Sequence, residues 1–374
     1  MERLGEGAPQ GVGFRATGKG DDHTLACITE PTSSAGTSAP GGAPPVSTGD
    51  PAGLVHQGDD QPVVVAADSA GKQITARSPM QLFWRRMRRD KVAIVALAFI
   101  LLLIAIAVLA PAIVWLAGTP GPRTQSSDAL DLFGTPTGPS GAHPFVVDRL
   151  GRDVFARTVY GARVSLEVAL IATGIAVIIG VAVGLVAGFY RGWVDTVLSR
   201  LTDVVLAFPI LLLGLGLAAA CSGADGCLGG LVQPGLPVVI MVIAIINWTY
   251  IARIVRGQVL SLREKEFVEA SRSLGASNGR IIVRDILPNL LAPLIVYASL
   301  LIPANILLEA ALSFLGVGVA GGTPSWGAMI AEATTLFPDA WWFMLFPGLA
   351  LLITVLAFNL VGDGLQDALD PRRN

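Results

Sequence analysis

The residues of this chain that invite a chemical reading suit a surface contact, with a partner or with lipid headgroups, and not the making or breaking of bonds. Glu269-Ala270-Ser271-Arg272-Ser273-Leu274-Gly275 is a short charged segment between two long apolar runs, and Pro288 follows the glycine by thirteen positions. Its charges set a register for a partner, and Phe267 with Leu274 forms an apolar patch that fits a partner's groove. A second group comprises Glu167, Asn247, Asn305 and Glu309, ionisable or amide side chains within or beside apolar runs. Such groups are costly in hydrocarbon and read by default as functional, here as candidates to line a path. The alternative is a hydrogen bond between helices. Glu167, near the start of a run, reads as a headgroup-level residue; for Glu309 both readings stay open.

Three cysteines offer little metal chemistry. A zinc site takes about four ligands, and His23, His56 and His143 are scattered away from Cys221 and Cys227. Those two cysteines read as loop thiols, with a disulfide on an oxidising face as the alternative. Gly71-Lys72-Gln73 lacks the upstream glycine and the following Ser or Thr of a phosphate-cradling loop, and neither H-E-x-x-H nor G-x-S-x-G occurs. No catalytic set, bound metal or cofactor is assigned to this chain.

The elements that carry these residues are apolar helices. Of 374 residues, 52% are hydrophobic and only 14% charged, where a soluble chain carries about a quarter charged; mean hydropathy is +0.63. About 20 apolar residues cross a bilayer core of ~30 Å. Six stretches qualify, at about 92–116, 164–188, 201–220, 236–255, 291–315 and 342–361. The expected fold is an all-α polytopic membrane protein with six transmembrane helices and no β pattern. Neither half resembles the other, which speaks against a carrier built from inverted repeats. Gly174, Gly180 and Gly184 lie in the second stretch, the last two in the G-x-x-x-G spacing that lets helices approach closely. Pro209 and Pro303 are expected to kink the third and fifth.

Basic residues orient the spans. Arg85, Arg86, Arg88, Arg89 and Lys91 precede the first span. Arg253, Arg256, Arg263, Lys265, Arg272, Arg280 and Arg284 cluster after the fourth, and Arg372 and Arg373 close the chain. Loops 221–235 and 316–340 contain no Lys or Arg. Both termini and the loop 262–288 are therefore expected in the cytoplasm. The first external loop carries Arg123, Arg149, Arg152, Arg157 and Arg163, but long loops cross largely regardless of charge.

Within 262–288, residues 262–274 are good helix formers. Gly275 permits a left-handed backbone at the helix end. Ser277 or Asn278 is placed to cap a second helix that ends before Pro288. The residues alone leave open a docking element or an amphipathic segment on lipid headgroups.

This segment resembles the EAA-x3-G loop of ABC-importer permeases: Glu269, Ala270 and Gly275 match its E, A and G, and Ser271 replaces its second alanine. Residues 79–107, His143-Pro144, Asp148 to Val154 and Tyr160 to Leu166 resemble the dipeptide/oligopeptide permease C-subunit group. So do Gly188-Phe189-Tyr190-Arg191-Gly192-Trp193-Val194-Asp195, Asp203-Val204-Val205-Leu206-Ala207-Phe208-Pro209, Glu309 to Gly316, Pro324-Ser325-Trp326-Gly327 and Gly362 to Pro371. The likeness covers about residues 79–372; loop 221–235 departs from it. It implies a permease subunit that moves di- or oligopeptides across the cytoplasmic membrane by alternating access, with nickel complexes or glutathione-type molecules as alternative cargo. The implied partners are a second permease, two ATP-binding subunits that hold ATP and Mg, an external substrate-binding protein and membrane lipid, with no nucleic acid. Glu269, Ala270, Ser271, Gly275, Ala276 and Pro288 are the implied coupling residues. An intramembrane enzyme lacks its catalytic set here, and an ATP-independent carrier lacks paired charges within the spans.

Residues 1–30 lack the apolar core of a signal peptide, and residues 1–79 are rich in Gly, Pro, Ser and Thr. They are expected to be disordered or untranslated, because the recognisable part begins at Met80. Residues 80–374 form the permease domain. The stretch beginning Leu150-Gly151-Arg152-Asp153 is expected to be an interfacial helix anchored by arginine and Tyr160, with a salt bridge of Arg152 and Asp153 or their contact with the binding protein as the alternative. The segment from Pro324 to Pro338 is too short to span and is expected to form a short external or re-entrant helix, with Trp326, Trp341 and Trp342 in an aromatic belt.

Overall fold

A computed structural model describes residues 84, 86–131, 136, 143, 145–223, 226–319 and 322–369. The expected leader at 1–79, with Arg85, Arg372 and Arg373, lies outside the described residues. Among the described residues there is no β-strand, only isolated bridges. Among the described residues five helices are long and apolar enough to cross a membrane, six if a pair bent by 89° counts as one span.

Helix α1, Lys91–Val108, starts where the Asp90 carboxylate accepts from the Val92 and Ala93 amides at 2.9 and 3.1 Å. The expected span 92–116 is not one helix. It breaks at Leu109, and a short α2, Ala110–Leu116, follows with Pro111 in its first turn, where a proline sacrifices no hydrogen bond. Helix α3, Val154–Tyr190, begins ten residues before the expected span because Asp153 caps it, accepting from the Ala156 amide at 2.8 Å. Its 37 residues extend about 55 Å, well beyond a bilayer core.

Helix α6, Leu236–Leu262, packs along α3 more extensively than any other pair of helices. Three glycines explain the closeness. A Cβ on Gly180 would fall 2.6 Å from the Ile251 Cβ, one on Gly184 2.7 Å from the Ala252 carbonyl, and one on Gly188 2.8 Å from the Val259 Cβ. The small-residue stripe is thus one turn longer than Gly180 and Gly184 alone, while Gly174 meets nothing within 4 Å.

The third span is the departure. Helix α4, Gly192–Ala207, and helix α5, Ile210–Ala220, meet at 89°. Phe208 is extended (φ −84°, ψ 138°), as a residue before proline prefers, and Pro209 cannot donate into the preceding turn. Helix α7, Glu266–Ser273, is short. Helix α8, Asn278–Phe314, runs unbroken through Pro288, Pro293 and Pro303. Pro303 is buried among neighbours that support the helix, whereas Phe208 and Pro209 are exposed. The second loop helix therefore does not end before Pro288. A π-helical turn, Ile281–Ile286, widens the backbone just ahead of Leu287–Phe314, and Pro288 sits in the first turn of that stretch.

Helix α9, Trp326–Thr334, is the short helix expected near Pro324, and α10, Trp342–Leu369, is the last span. Trp326 does not join an aromatic belt. It is 1% exposed, its indole donates to the Thr158 carbonyl at 3.0 Å, and it joins a core with Ile100, Leu166, Ile306 and Phe358. Cys221 and Cys227 are not free thiols; a disulfide joins them across a Cα separation of 4.8 Å. On the far side of Cys227 the chain turns back, the amides and carbonyls of Cys227 and Val232 bonding reciprocally at 2.9 and 3.2 Å.

Candidate functional site

The segment between α6 and α8 leaves the bundle on a narrow footing. After Leu262 the chain turns through Arg263, Glu264 and Lys265 before α7 begins, so residues 262–274 form a turn and a helix instead of one helix. Val268 is fully buried and packs with Val259, Ile281, Ile286 and Leu290. The opposite side of α7 is open: Phe267 is 42% and Leu274 88% exposed, beside exposed Glu269, Ala270 and Arg272. Val268 is the one buried residue of the helix, Ser271 is half-buried, and its other residues are exposed.

Gly275 ends α7 at φ +77°. The Gly275 amide donates to the Arg272 carbonyl at 3.0 Å and the Ala276 amide to the Ser271 carbonyl at 3.1 Å, the paired closure of a Schellman end. The left-handed backbone favours glycine, and nothing lies within 4 Å of where a Cβ would stand. Only the backbone conformation, not packing, demands the glycine. Ser277 occupies the next cap position, but its side chain makes no capping bond; its carbonyl accepts from Ile281. Pro288 is exposed, in the first turn of the stretch Leu287–Phe314.

The root of the segment is tied to the end of α3. Arg263 donates through Nη1 to the Phe189 carbonyl, its guanidinium lies 5.7 Å from the Phe189 ring centre, and Arg191 pairs with Glu264. Burial, then the neighbouring Arg191 and Arg272 charges, lower the Arg263 pKa from the ordinary arginine value.

Asn247, Asn305 and Glu309 lie elsewhere, inside the bundle, at 6%, 1% and 0% exposure. The Asn247 amide donates to Asn305 Oδ1 at 2.8 Å, and Asn305 donates to Thr173 Oγ1 at 2.8 Å, joining α6, α8 and α3. The Glu309 carboxylate accepts from Ser165 at 2.9 Å and Ser313 at 2.7 Å. The bonds of Asn247 to Asn305, Asn305 to Thr173 and Ser165 to Glu309 run between helices of this chain. Glu167 is exposed on α3.

A charge cluster far from α7 in sequence locks the start of α3. Arg157, 1% exposed, pairs with Asp148 and with Glu332, to which its Nη2 donates at 3.0 Å. Arg152 pairs with Asp148 at 2.6 Å and with Glu332 at 3.0 Å. Arg152 and Asp153 are both buried, Arg152 in ion pairs and Asp153 as a cap, so Arg152 makes a salt bridge, with Asp148 and Glu332 and not with Asp153, in place of anchoring an exposed helix. Arg157 and Glu332 had no local signal, being 175 residues apart. Among the described residues, no group of three His, Cys, Asp or Glu side chains could hold a metal ion.

Residues 180–374 match the family described as binding-protein-dependent transport system inner membrane component, and residues 78–132 match the N-terminal TM domain of oligopeptide transport permease C. The chain is 42% identical over 300 residues to the dipeptide transport system permease protein of Alkalihalophilus pseudofirmus, covering 80% of this chain and 92% of that one. It is 39% identical over 298 residues to the glutathione transport system permease protein of Pectobacterium atrosepticum, covering 80% and 93%. The counterpart from Escherichia coli O157:H7 is 42% identical over 296 residues, covering 79% and 91%. A solved chain of the MetNI methionine ABC transporter, in an inward-facing conformation, aligns over 57% of this chain and 96% of its own, with 19% identity and a TM-score of 0.48.

Proposed function

Because this chain belongs to the family of binding-protein-dependent transport system inner membrane components, we propose that it forms half of a path for di- or oligopeptides, driven by ATP hydrolysed on separate subunits. It is a multi-pass inner-membrane permease of the ABC-importer type. A second permease, two ATP-binding subunits carrying ATP and Mg, and an external binding protein complete the assembly in this proposal. Both termini and α7 face the cytoplasm.

The observation that carries the coupling role is the footing of α7. Val268 alone anchors it, while Phe267, Glu269 and Leu274 face outward. A helix held this way moves as a unit with whatever grips its outer face. ATP binding draws the nucleotide subunits together, α7 moves with them, and the attached spans shift between inward and outward arrangements. Glu269, Ala270, Ser271, Gly275 and Ala276 form or shape the gripped surface. Pro288 starts the span above it. A driven shift of this kind needs an element whose two states the partner binds differently. Asn247, Asn305 and Glu309 tie together the helices that flank the path, which keeps α3, α6 and α8 as one moving body.

Peptide cargo is supported by the 42% identity to a dipeptide permease. Similar identity to glutathione permeases supports a second reading, a γ-linked tripeptide. Reconstitution with the binding protein and the ATP-binding subunits tests both. ATP-dependent uptake of labelled dipeptide supports the first reading and uptake of glutathione alone supports the second. Uptake that needs no ATP would overturn the importer reading.

A further inference from the structure

Helix α4 is held to the bundle with little apolar packing. Thr202 is its only buried residue. Its hold on α6 is ionic. Arg256 grips Asp195 with two donors, Nη2 reaching Oδ2 at 2.8 Å, and Arg253 Nη2 reaches Asp203 at 2.8 Å. Between α4 and the facing stretches of α3 and α6 lies a cavity of about 360 Å³, lined by Gly184, Ala187, Thr202, Asp203, Arg253 and Arg256. A packed apolar contact is lost at the cost of a void. An ion pair at the edge of a polar cavity separates into groups that water can solvate, and its strength is modest when partly exposed. The Asp195 and Arg256 side chains are 18% and 34% exposed.

Both ends of α4 are bends. At one end Phe208 and Pro209 are extended, setting the 89° angle to α5. At the other, Arg191 (φ +54°, ψ −168°) and Gly192 (φ +64°) both have positive φ. That conformation is essentially reserved for glycine, so Arg191 holds it only because its surroundings demand it. Those surroundings are the root of the α7 segment: Glu264 pairs with Arg191, and Arg263 donates to the carbonyl of Phe189, two residues before the bend.

We propose that α4 is a lever between the docking helix and the broken third span. Movement of α7 pulls the Arg191–Gly192 bend through Glu264 and Arg263, and α4 swings about Pro209 as the Asp195–Arg256 and Asp203–Arg253 pairs open and re-form. Asp195 and Arg256 are positioning residues that hold the resting angle. Few-residue bends flanking a rigid helix are the usual build of a hinge. The proposal rests on the importer reading and adds a mechanical route to it.

The test uses the reconstituted complex with its ATP-binding subunits and loaded binding protein. Asp195→Arg lowers uptake about ten-fold and removes the rise in ATP hydrolysis caused by loaded binding protein, while the ATP-binding subunits still co-purify. Asp195→Arg combined with Arg256→Asp restores most of both. Asp195→Cys combined with Arg256→Cys, joined by a thiol cross-linker, stops uptake, and reductant restores it; wild type treated identically controls for Cys221–Cys227. Wild-type uptake in the cross-linked variant would overturn the lever, because α4 would then be carrying out transport without moving. Failure of the charge swap to restore coupling in a complex that assembles would overturn the role of the pair. Absence of ATP-driven uptake in wild type strikes the importer reading instead and is seen before any variant is made.

Discussion

The side-chain amide of Asn247 donates to the side-chain oxygen of Asn305 at 2.8 Å between α6 and α8, and Asn305 passes the chain on to Thr173 of α3. Asn247 also donates to the Ile243 carbonyl at 3.1 Å. Asn305 is therefore the member common to both inter-helix bonds, and its loss breaks both while Asn247 keeps its bond to Ile243. Asn305→Ala is expected to destabilise the folded chain by about 1–2 kcal/mol, since hydrogen bonds between membrane helices average below 1 and an orphaned buried partner adds to that. Thermal unfolding in detergent measures it. Asn247→Ala is expected to cost less, because Asn305 keeps its bond to Thr173.

At Gly275 the space around the missing Cβ is empty, so only φ matters. Gly275→Ala is expected to cost about 1–2 kcal/mol, and Gly275→Val more, because a β-branched residue is the poorer fit at positive φ. Both chains should insert in the membrane. Co-purification of the ATP-binding subunits should fall in the order glycine, alanine, valine; equal retention in all three would place the glycine outside the docking geometry.

The disulfide offers a test of orientation. With α7 in the cytoplasm, Cys221 and Cys227 face outside. An impermeant thiol reagent on intact cells should label them only after reduction, and should leave a cysteine placed at Arg272 unlabelled. Labelling at position 272 without labelling at 221 and 227 reverses the topology.

Much of this architecture is legible in the chain because burial in lipid needs long apolar helices, and their composition shows. Gly180 and Gly184 announce a close helix pair by spacing alone, and Gly275 announces the end of α7. What escapes is what depends on neighbours. Pro209 and Pro303 look alike in sequence, yet one breaks a span and the other does not, because only Pro303 is packed on its flanks. Pro288 reads as a stop, but the π turn Ile281–Ile286 carries the helix into it. Trp326 reads as an interfacial aromatic until its buried bond to Thr158 is seen. Arg157 and Glu332 carry no local signature of a pair because nothing in either segment names the other. The Asp195–Arg256 contact spans 61 residues and is equally silent.

The central claim is that the outer face of α7 is where ATP-driven motion enters this chain. Leu274 tests it most directly, being 88% exposed and making no core contact. Leu274→Asp leaves Val268, the Schellman end and the bundle untouched, so the chain should fold and insert as before. The measurement is the amount of ATP-binding subunit retained on the purified complex, together with ATP hydrolysis stimulated by loaded binding protein. Loss of both in Leu274→Asp, and in the charge reversal Glu269→Lys, is the result expected. Retention of the subunits and full stimulation in both variants would contradict it and leave α7 a helix lying on lipid headgroups.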